Sequence, residues 1–340
     1  MERLTRLTVA AGAACLVMAA AGCTGNAATA TGRSPSPAGA TSRALPSPFT
    51  ITARYTPASL GLYHPADLAV GPDGNLYVTD SSQRVTVISP AGKVLRRWGK
   101  PGSGPGEFRF SPPDPTAPTF LQSSIAVGTD GKVYVSDTGN GRVQVFTPQG
   151  RFVRQFGSYG SGKDQFLRPA DLVVDTAGNV YVADDQAGTL AKFSPSASVI
   201  WKIGSGISAD PDLTGYFHQP NIDAHGRLVV GNDQQDKILY IDSGGHKVDA
   251  FSPSTAGSPT GAVCGATVDA IGDTYVTGCS SPPAFNGPML VYDREHRPIA
   301  RWPGTPYSLW RPPLFGPHGE VFELASDGSI LELHITVPGA

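Results

Sequence analysis

The sequence predicts an all-β chain: a six-bladed β-propeller of four-stranded antiparallel blades, closed by an N-terminal strand that completes the last blade. Three observations carry this. Short runs of period-2 alternation recur along the chain, cut off by turn residues, and no helical period persists. A glycine-anchored strand motif appears six times: GNLYVTD at Gly74, GKVYVSD at Gly131, GNVYVAD at Gly178, GRLVVGN at Gly226, GDTYVTG at Gly272 and GEVFELA at Gly319. From Gly131 onward these anchors lie 46 to 48 residues apart, the period of four-stranded propeller blades.

Met1 to Gly22 has Arg3 and Arg6, then an apolar run from Leu7 to Ala21 ending in small residues. That order of charge, apolar core and small residues marks a secretory signal, and the run is shorter than a membrane span of about 20 residues. The run closes on Ala20-Ala21-Gly22-Cys23, which resembles the lipobox of bacterial lipoproteins, with Ala20 where leucine is commoner. The resemblance implies cleavage after Gly22 and a diacylglycerol on Cys23, a tether rather than a span. Residues 23–48 are rich in Ala, Gly, Ser, Thr and Pro, and Arg33 and Arg43 are their only charges. Such a segment buries too little apolar surface to order itself and is expected to be a flexible tether. Residues 49–340 form the propeller domain. The localisation expected is the outer face of the bacterial cytoplasmic membrane, or secreted if the lipobox fails.

A net charge of −2 with 16% charged residues lacks the basic face of a nucleic-acid binder. Of the four cysteines, Cys15 leaves with the signal and Cys23 takes the lipid, which leaves Cys264 and Cys279 flanking a predicted hairpin. Superposing its turn on that of the first repeat places the two directly opposite each other, a spacing within adjustment of a disulfide. Export favours the oxidised pair. Zinc is the alternative, weak without nearby histidines.

The best-formed repeat runs from Gly131 to Gly157 and holds the runs KVYVSD, RVQVF and FVRQFG. In the first blade the strands are expected at Asp67–Val70, Leu76–Thr79, Val85–Ile88 and Val94–Trp98. The first anchor interval is 57 residues because Ser111 to Thr119 is inserted before the next inner strand. The last blade runs out after residues 330–337 as its third strand, so Thr50–Tyr55 is expected to supply its outer strand and hide the open sheet edge.

The stretches PADLAVGPDGNLYVTDSSQRVTVISPAGKVLRRWG, Ser124–Gly157 and Pro169–Gly204 resemble NHL repeats. The pattern is an inner strand before a glycine turn, a Tyr-Val-x-Asp strand, an Arg-Val strand and an outer strand ending in aromatic-Gly. Blades one to three match it strongly, and blades four to six keep the period with fewer motif residues.

Several conspicuous residues are expected to be structural. Asp80, Asp137 and Asp184 each end a second strand before a turn and suit backbone hydrogen bonding there. Arg84 and Arg142 are expected to pair with them locally, and Trp98, Phe156 and Trp302 to fill between blades. The glycine-rich stretches at 102–106 and 157–162 follow an outer strand and precede no helix, so they are connections rather than phosphate loops.

The functional candidates lie where each inner strand begins at the central channel. Alignment on the turns puts Asp67, Ser124, Asp171, Gln219, Gly265 and Pro312 at one level. One residue earlier come Ala66, Ser123, Ala170, His218, Cys264 and Arg311. Asp67, Asp171, His218 and Arg311 are thereby expected to share a ligand-binding mouth, with His64 and Arg168 nearby. No catalytic or metal residue is assigned. The peptidyl-hydroxyglycine amidating lyases, NHL propellers themselves, carry Pro-His pairs at several inner strands. Here the equivalent pairs are Pro65-Ala66, Gln122-Ser123 and Pro169-Ala170, and only His218 stands at such a position. His225 and His318 fall in turns, His246 and His296 precede outer strands, and none has zinc spacing. No Gly-x-Ser-x-Gly elbow occurs.

The expected function is therefore a lipid-anchored extracytoplasmic propeller, monomeric, that binds a peptide, glycan or envelope protein on one face, with no recognisable cofactor. The alternative is a lyase or lactone hydrolase using a divalent metal in the channel mouth.

Overall fold

The computed structural model describes residues 45–110, 123–253, 262–279, 289–302, 311–325 and 327–336. The signal segment, Cys23, the tether as far as residue 44 and the insertion at 111–119 lie outside the described residues.

The strands follow the repeat. Phe49–Tyr55 (β1) comes first, then the first blade as Pro65–Val70 (β2), Leu76–Asp80 (β3), Arg84–Ile88 (β4) and Val94–Trp98 (β5). The second blade is Ile125–Val127 (β6), Val133–Asp137 (β7), Arg142–Phe146 (β8) and Phe152–Phe156 (β9). The third is Pro169–Val174 (β10), Val180–Asp184 (β11), Thr189–Phe193 (β12) and Val199–Gly204 (β13). The fourth is Phe217–Ile222 (β14), Leu228–Asn232 (β15), Lys237–Ile241 (β16) and Lys247–Phe251 (β17). The fifth is Ala262–Val268 (β18), Thr274–Cys279 (β19), Met289–Tyr292 (β20) and Pro298–Trp302 (β21). Leu314–Phe315 (β22), Val321–Leu324 (β23) and Ile330–Ile335 (β24) make the sixth with β1, in the order β22-β23-β24-β1. Each blade is thus a four-stranded antiparallel sheet, and β1 pairs with β24 as expected. Among the described residues no helix is long and apolar enough to cross a membrane.

The repeat works because each anchor residue needs the left-handed backbone of a tight turn. Gly74, Gly131, Gly178, Gly226, Gly272 and Gly319 all have φ between 72° and 93°, a region that costs any side chain energy. Alternating residues of each middle strand then face the two neighbouring blades. Six buried clusters result, one per interface. That between blades six and one joins Leu68, Leu76 and Val78 to Phe322, Leu324 and Ile330. The cluster between blades five and six takes in Phe49 from β1 together with Tyr275, Trp302 and Leu331. The closing strand therefore seals a core as well as an edge. Trp98 packs against Phe146, Phe156 against Phe193 and Trp302 against Phe49, so all three aromatics fill between blades.

The motif aspartates also behave as turn acceptors. Asp80 accepts from the Ser82 N–H and Arg84 Nε, and Asp184 from the backbone of Leu167, Arg168 and Ala187. Asp137 accepts from the Arg109 N–H at 2.7 Å and from Arg142 Nε at 2.7 Å. Each carboxylate thus ties its own turn, or the incoming connection, to the blade.

One expectation is corrected. Cys264 does not stand directly opposite Cys279, because β19 pairs Cys279 with Ala262 and Gly278 with Val263, and then Thr277 with Gly265. A bulge absorbs Cys264, which a uniform period-2 register leaves out of account.

Candidate functional site

The bulge at Cys264 has counterparts at the start of other inner strands. Register shifts fall between Pro65 and Asp67, between Pro169 and Asp171 and between His218 and Asn221. An extra residue bends the strand and re-aims the side chain that follows it. Here it turns Asp67 and Asp171 onto the central channel.

At that level side chains lace the blades together. Asp67 Oδ2 accepts the Ile125 N–H of the second blade at 2.9 Å. Ser124 Oγ accepts the Leu172 N–H of the third at 3.2 Å, and Asp171 Oδ2 the Gln219 N–H of the fourth at 3.1 Å. Ser123 Oγ donates to Thr79 Oγ1 in the same belt. The aspartates at this level therefore have structural work before any ligand arrives. Arg311, which precedes the sixth blade's inner strand, completes the arrangement. Its Nε lies 3.2 Å from Asp67 Oδ1 and its Nη2 2.9 Å from Asp171 Oδ1. Blade six neighbours blade one and lies opposite blade three, so the guanidinium spans the channel. Burial pushes the Asp67 carboxyl above its ordinary value, and Arg311 and the Ile125 N–H draw it part of the way back.

Beside this triad stands a second polar group. His218 Nε2 is 3.3 Å from Asp233 Oδ2, and Arg168 Nε is 2.5 Å from Asp185 Oδ1. Burial alone would lower the His218 pKa, but the Asp233 hydrogen bond and the charges of Asp171, Asp233 and Asp185 outweigh it, and the pKa is raised. Of the six residues singled out in the sequence, Asp67, Asp171 and Arg311 meet directly. His218 and Arg168 lie alongside them, joined to the group by that shared field. His64 is exposed, packs edge-on against Tyr63 and makes no bond to the triad among the described residues. Sequence reasoning missed Asp185 and Asp233. Their signal was a second polar residue directly after each motif position, in Asp184-Asp185 and Asn232-Asp233.

Below the mouth the channel holds a cavity of about 400 Å³ lined by Asp67, Ser124, Asp171, Gln219, Asn221 and Arg311 among others. That is within the usual size of a small-molecule site. Among the described residues no group of three or more His, Cys, Asp or Glu side chains is arranged to hold a metal ion.

Comparison with known proteins agrees with this architecture. Residues 62–84 match the NHL repeat family, and residues 122–200 match a family described as a 6-bladed beta-propeller. The chain is a six-bladed propeller carrying an NHL repeat. Curated relatives include peptidyl-glycine alpha-amidating monooxygenase B of Xenopus laevis, 32% identical over 110 residues. That alignment covers 30% of this chain and 11% of the relative. The mouse peptidyl-glycine alpha-amidating monooxygenase is 33% identical over 106 residues, 30% of this chain and 10% of its own length. The match thus spans only about a tenth of these relatives.

Among solved structures, a gluconolactonase from Xanthomonas campestris superposes with a TM-score of 0.58 at 14% identity, covering 86% of this chain and 98% of that one. A catalytically inactive virginiamycin B lyase from Staphylococcus aureus, solved with quinupristin, gives 0.55 at 13% identity, covering 85% and 100%. A protein of unknown function from Bacteroides caccae gives 0.52 at 13% identity, covering 70% and 80%. At such identities the likeness of this propeller to them is one of fold.

Proposed function

We propose that this protein is a lipid-anchored, extracytoplasmic NHL propeller that binds a peptide, glycan or protein partner on the face bearing the channel mouth. One observation carries the reading: Asp67, Asp171 and Arg311, from three different blades, converge on a roughly 400 Å³ channel. Around that mouth the connections between blades expose Tyr63, Tyr159 and Tyr216, which are 62%, 59% and 40% accessible. Exposed tyrosines ringing convergent charges suit a partner with polar groups and flat apolar surface. A peptide segment matches that mixture best.

The test is site-specific photo-crosslinking from position 216 in the full-length chain expressed in its native envelope. A saturable adduct that is lost in the combined variant Asp67→Asn, Asp171→Asn, His218→Gln and Arg311→Gln supports the reading, provided the variant still melts cooperatively. An adduct of equal yield in that variant moves the site off the mouth. Replacement of Cys23 by serine should shift the protein from the membrane fraction to the medium. Retention in the membrane would remove the anchor from the proposal.

The second reading is a metal-dependent lyase or lactone hydrolase acting in the channel mouth. The lyase and gluconolactonase among its structural neighbours favour it. About one equivalent of zinc or calcium surviving dialysis, together with destabilisation by chelator, would rank it first.

A further inference from the structure

On the face opposite the mouth, a cleft of about 280 Å³ opens between blades four and five. Its walls come from the turn after β14, from β16 and β17, and from two turns of the fifth blade. Two arginines line it, and both are anchored through Nε alone. Arg227 Nε donates to Asp223 Oδ2 at 2.7 Å, and its guanidinium stacks over the Tyr240 ring at 4.7 Å. Arg294 Nε donates to the Ile271 carbonyl. The Nη ends of both have no partner among the described residues. Each guanidinium is thus held in place while its outer donors remain available.

The neighbouring carboxylates do not take up those donors. Asp223 is occupied by Arg227 and by the N–H groups of its own turn. Asp269 accepts from its own turn and from the Tyr275 hydroxyl. Asp249 lies 3.7 Å from His296 Nε2. Asp273 is near enough to feel the charge of Arg294 but makes no bond to it.

His296 itself is out of place by the rules of the repeat. It occupies the turn before the blade's outer strand with φ 60°, where blades one, two and four place Gly92, Gly150 and Gly245 and blade three has Ala197. A left-handed histidine carries backbone strain, and strain of this kind persists where the surroundings hold it. What holds it is Phe251, on which the imidazole stacks at 4.1 Å and 13°. The ring is thereby turned into the cleft beside the arginines, and His225 adds a second imidazole to the lining.

We propose that this cleft is a binding site for a small oxyanion, carboxylate or phosphate, seated on the Nη groups of Arg227 and Arg294 with His296 as a third donor. The site lies apart from the mouth and does not depend on what binds there.

The experiment follows thermal melting and the imidazole 1H–15N signals of the protein while inorganic phosphate or succinate is added. A bound anion raises the melting temperature with a saturating dependence, whereas general salting effects do not saturate. The expected result is saturation by at least one probe, with the His296 signal moving in step. In Arg227→Gln/Arg294→Gln the apparent affinity should fall at least tenfold, and Arg297→Gln on the same turn should leave it unchanged. Saturation by phosphate alone identifies a phosphoryl ligand, and by succinate alone a carboxylate. Arg227 also packs on Tyr240, so the single change Arg294→Gln at an exposed position decides the matter if the double variant fails to fold. His296→Gly accepts the left-handed backbone and should keep the fold while weakening binding severalfold. Unsaturating curves, or identical curves for the native protein and Arg294→Gln, overturn the proposal.

Discussion

Arg311 Nη2 lies 2.9 Å from Asp171 Oδ1, tying blade six to the blade opposite across the channel, while Nε holds Asp67 at 3.2 Å. Asp67 and Asp171 are only 3% and 6% exposed, so removing the guanidinium leaves two buried carboxylates without their counter-charge. Breaking a buried pair from one side is far costlier than replacing both partners. Arg311→Met should therefore cost about 3 kcal/mol, toward the low end for buried pairs because the arginine side chain retains 23% exposure. Arg311→Lys keeps the charge but not the two-pronged reach and should recover only part of the loss. Urea unfolding measures both. A loss under about 0.5 kcal/mol for the methionine variant would mean that the bridge does not hold the ring together.

Phe49 stands at the closing seam. It is 4% exposed, stacks on Tyr275 at 5.6 Å and packs at a tilt against Trp302 at 4.8 Å. Phe49→Ala opens a cavity in the cluster between blades five and six and should cost about 3–4 kcal/mol. Phe152→Ala, on the outer strand of blade two and 36% exposed, serves as the comparison and should cost far less. Equal melting of the two variants would show that the first strand is a loose flap rather than a seal.

How much of this was legible follows from where each signal resides. The blade count follows from a glycine anchor repeated six times, from Gly74 to Gly319, and the turn-acceptor aspartates from a motif repeated in three blades, while the closing strand follows from the last blade lacking a fourth strand. The mouth was legible only as a level. Turn-anchored alignment put Asp67 and Asp171 at the same height, but nothing local says that Arg311 reaches across to both. The bulges decide which side chains face the channel, and one extra residue leaves no mark on a period-2 pattern. At Cys264 an unbroken register from Val268 and Thr274 would set it opposite Gly278, and the bulge leaves it opposite no residue of β19. His64 failed as a mouth residue for a related reason: it belongs to the connection before β2, where no strand register governs its direction.

Cys264 and Cys279 are proposed to pair although the bulge removes their direct opposition. They lie on neighbouring strands joined by a short hairpin, and a loop of about 15 residues is worth roughly 3 kcal/mol when cross-linked. Peptide mapping of the protein purified without reductant should recover the two cysteines in one linked species. Reduction should lower the melting temperature, and two freely alkylated thiols in the native protein would exclude the bridge.

Glu323 breaks the repeat most sharply. The aligned residue in the other five blades is valine, at Val78, Val135, Val182, Val230 and Val276, all buried. Glu323 is 1% exposed, and neither carboxylate oxygen has a hydrogen-bond partner among the described residues. Burial pushes its carboxyl up to about 8. The folded protein thus holds a proton that the unfolded chain releases near pH 4.5. This contribution to stability is full below about pH 4.5 and is lost as the pH rises toward about 8, a change on the order of 4 kcal/mol. Glu323→Val should restore the pattern of the other blades and remove that slope, so its advantage over the native protein grows from pH 4.5 to pH 8. Glu323→Gln should flatten the slope too, yet gain less, because an amide without partners remains buried. Urea unfolding at pH 4.5, 6 and 8 separates the three proteins. A native slope that persists in Glu323→Val would place its origin in another group.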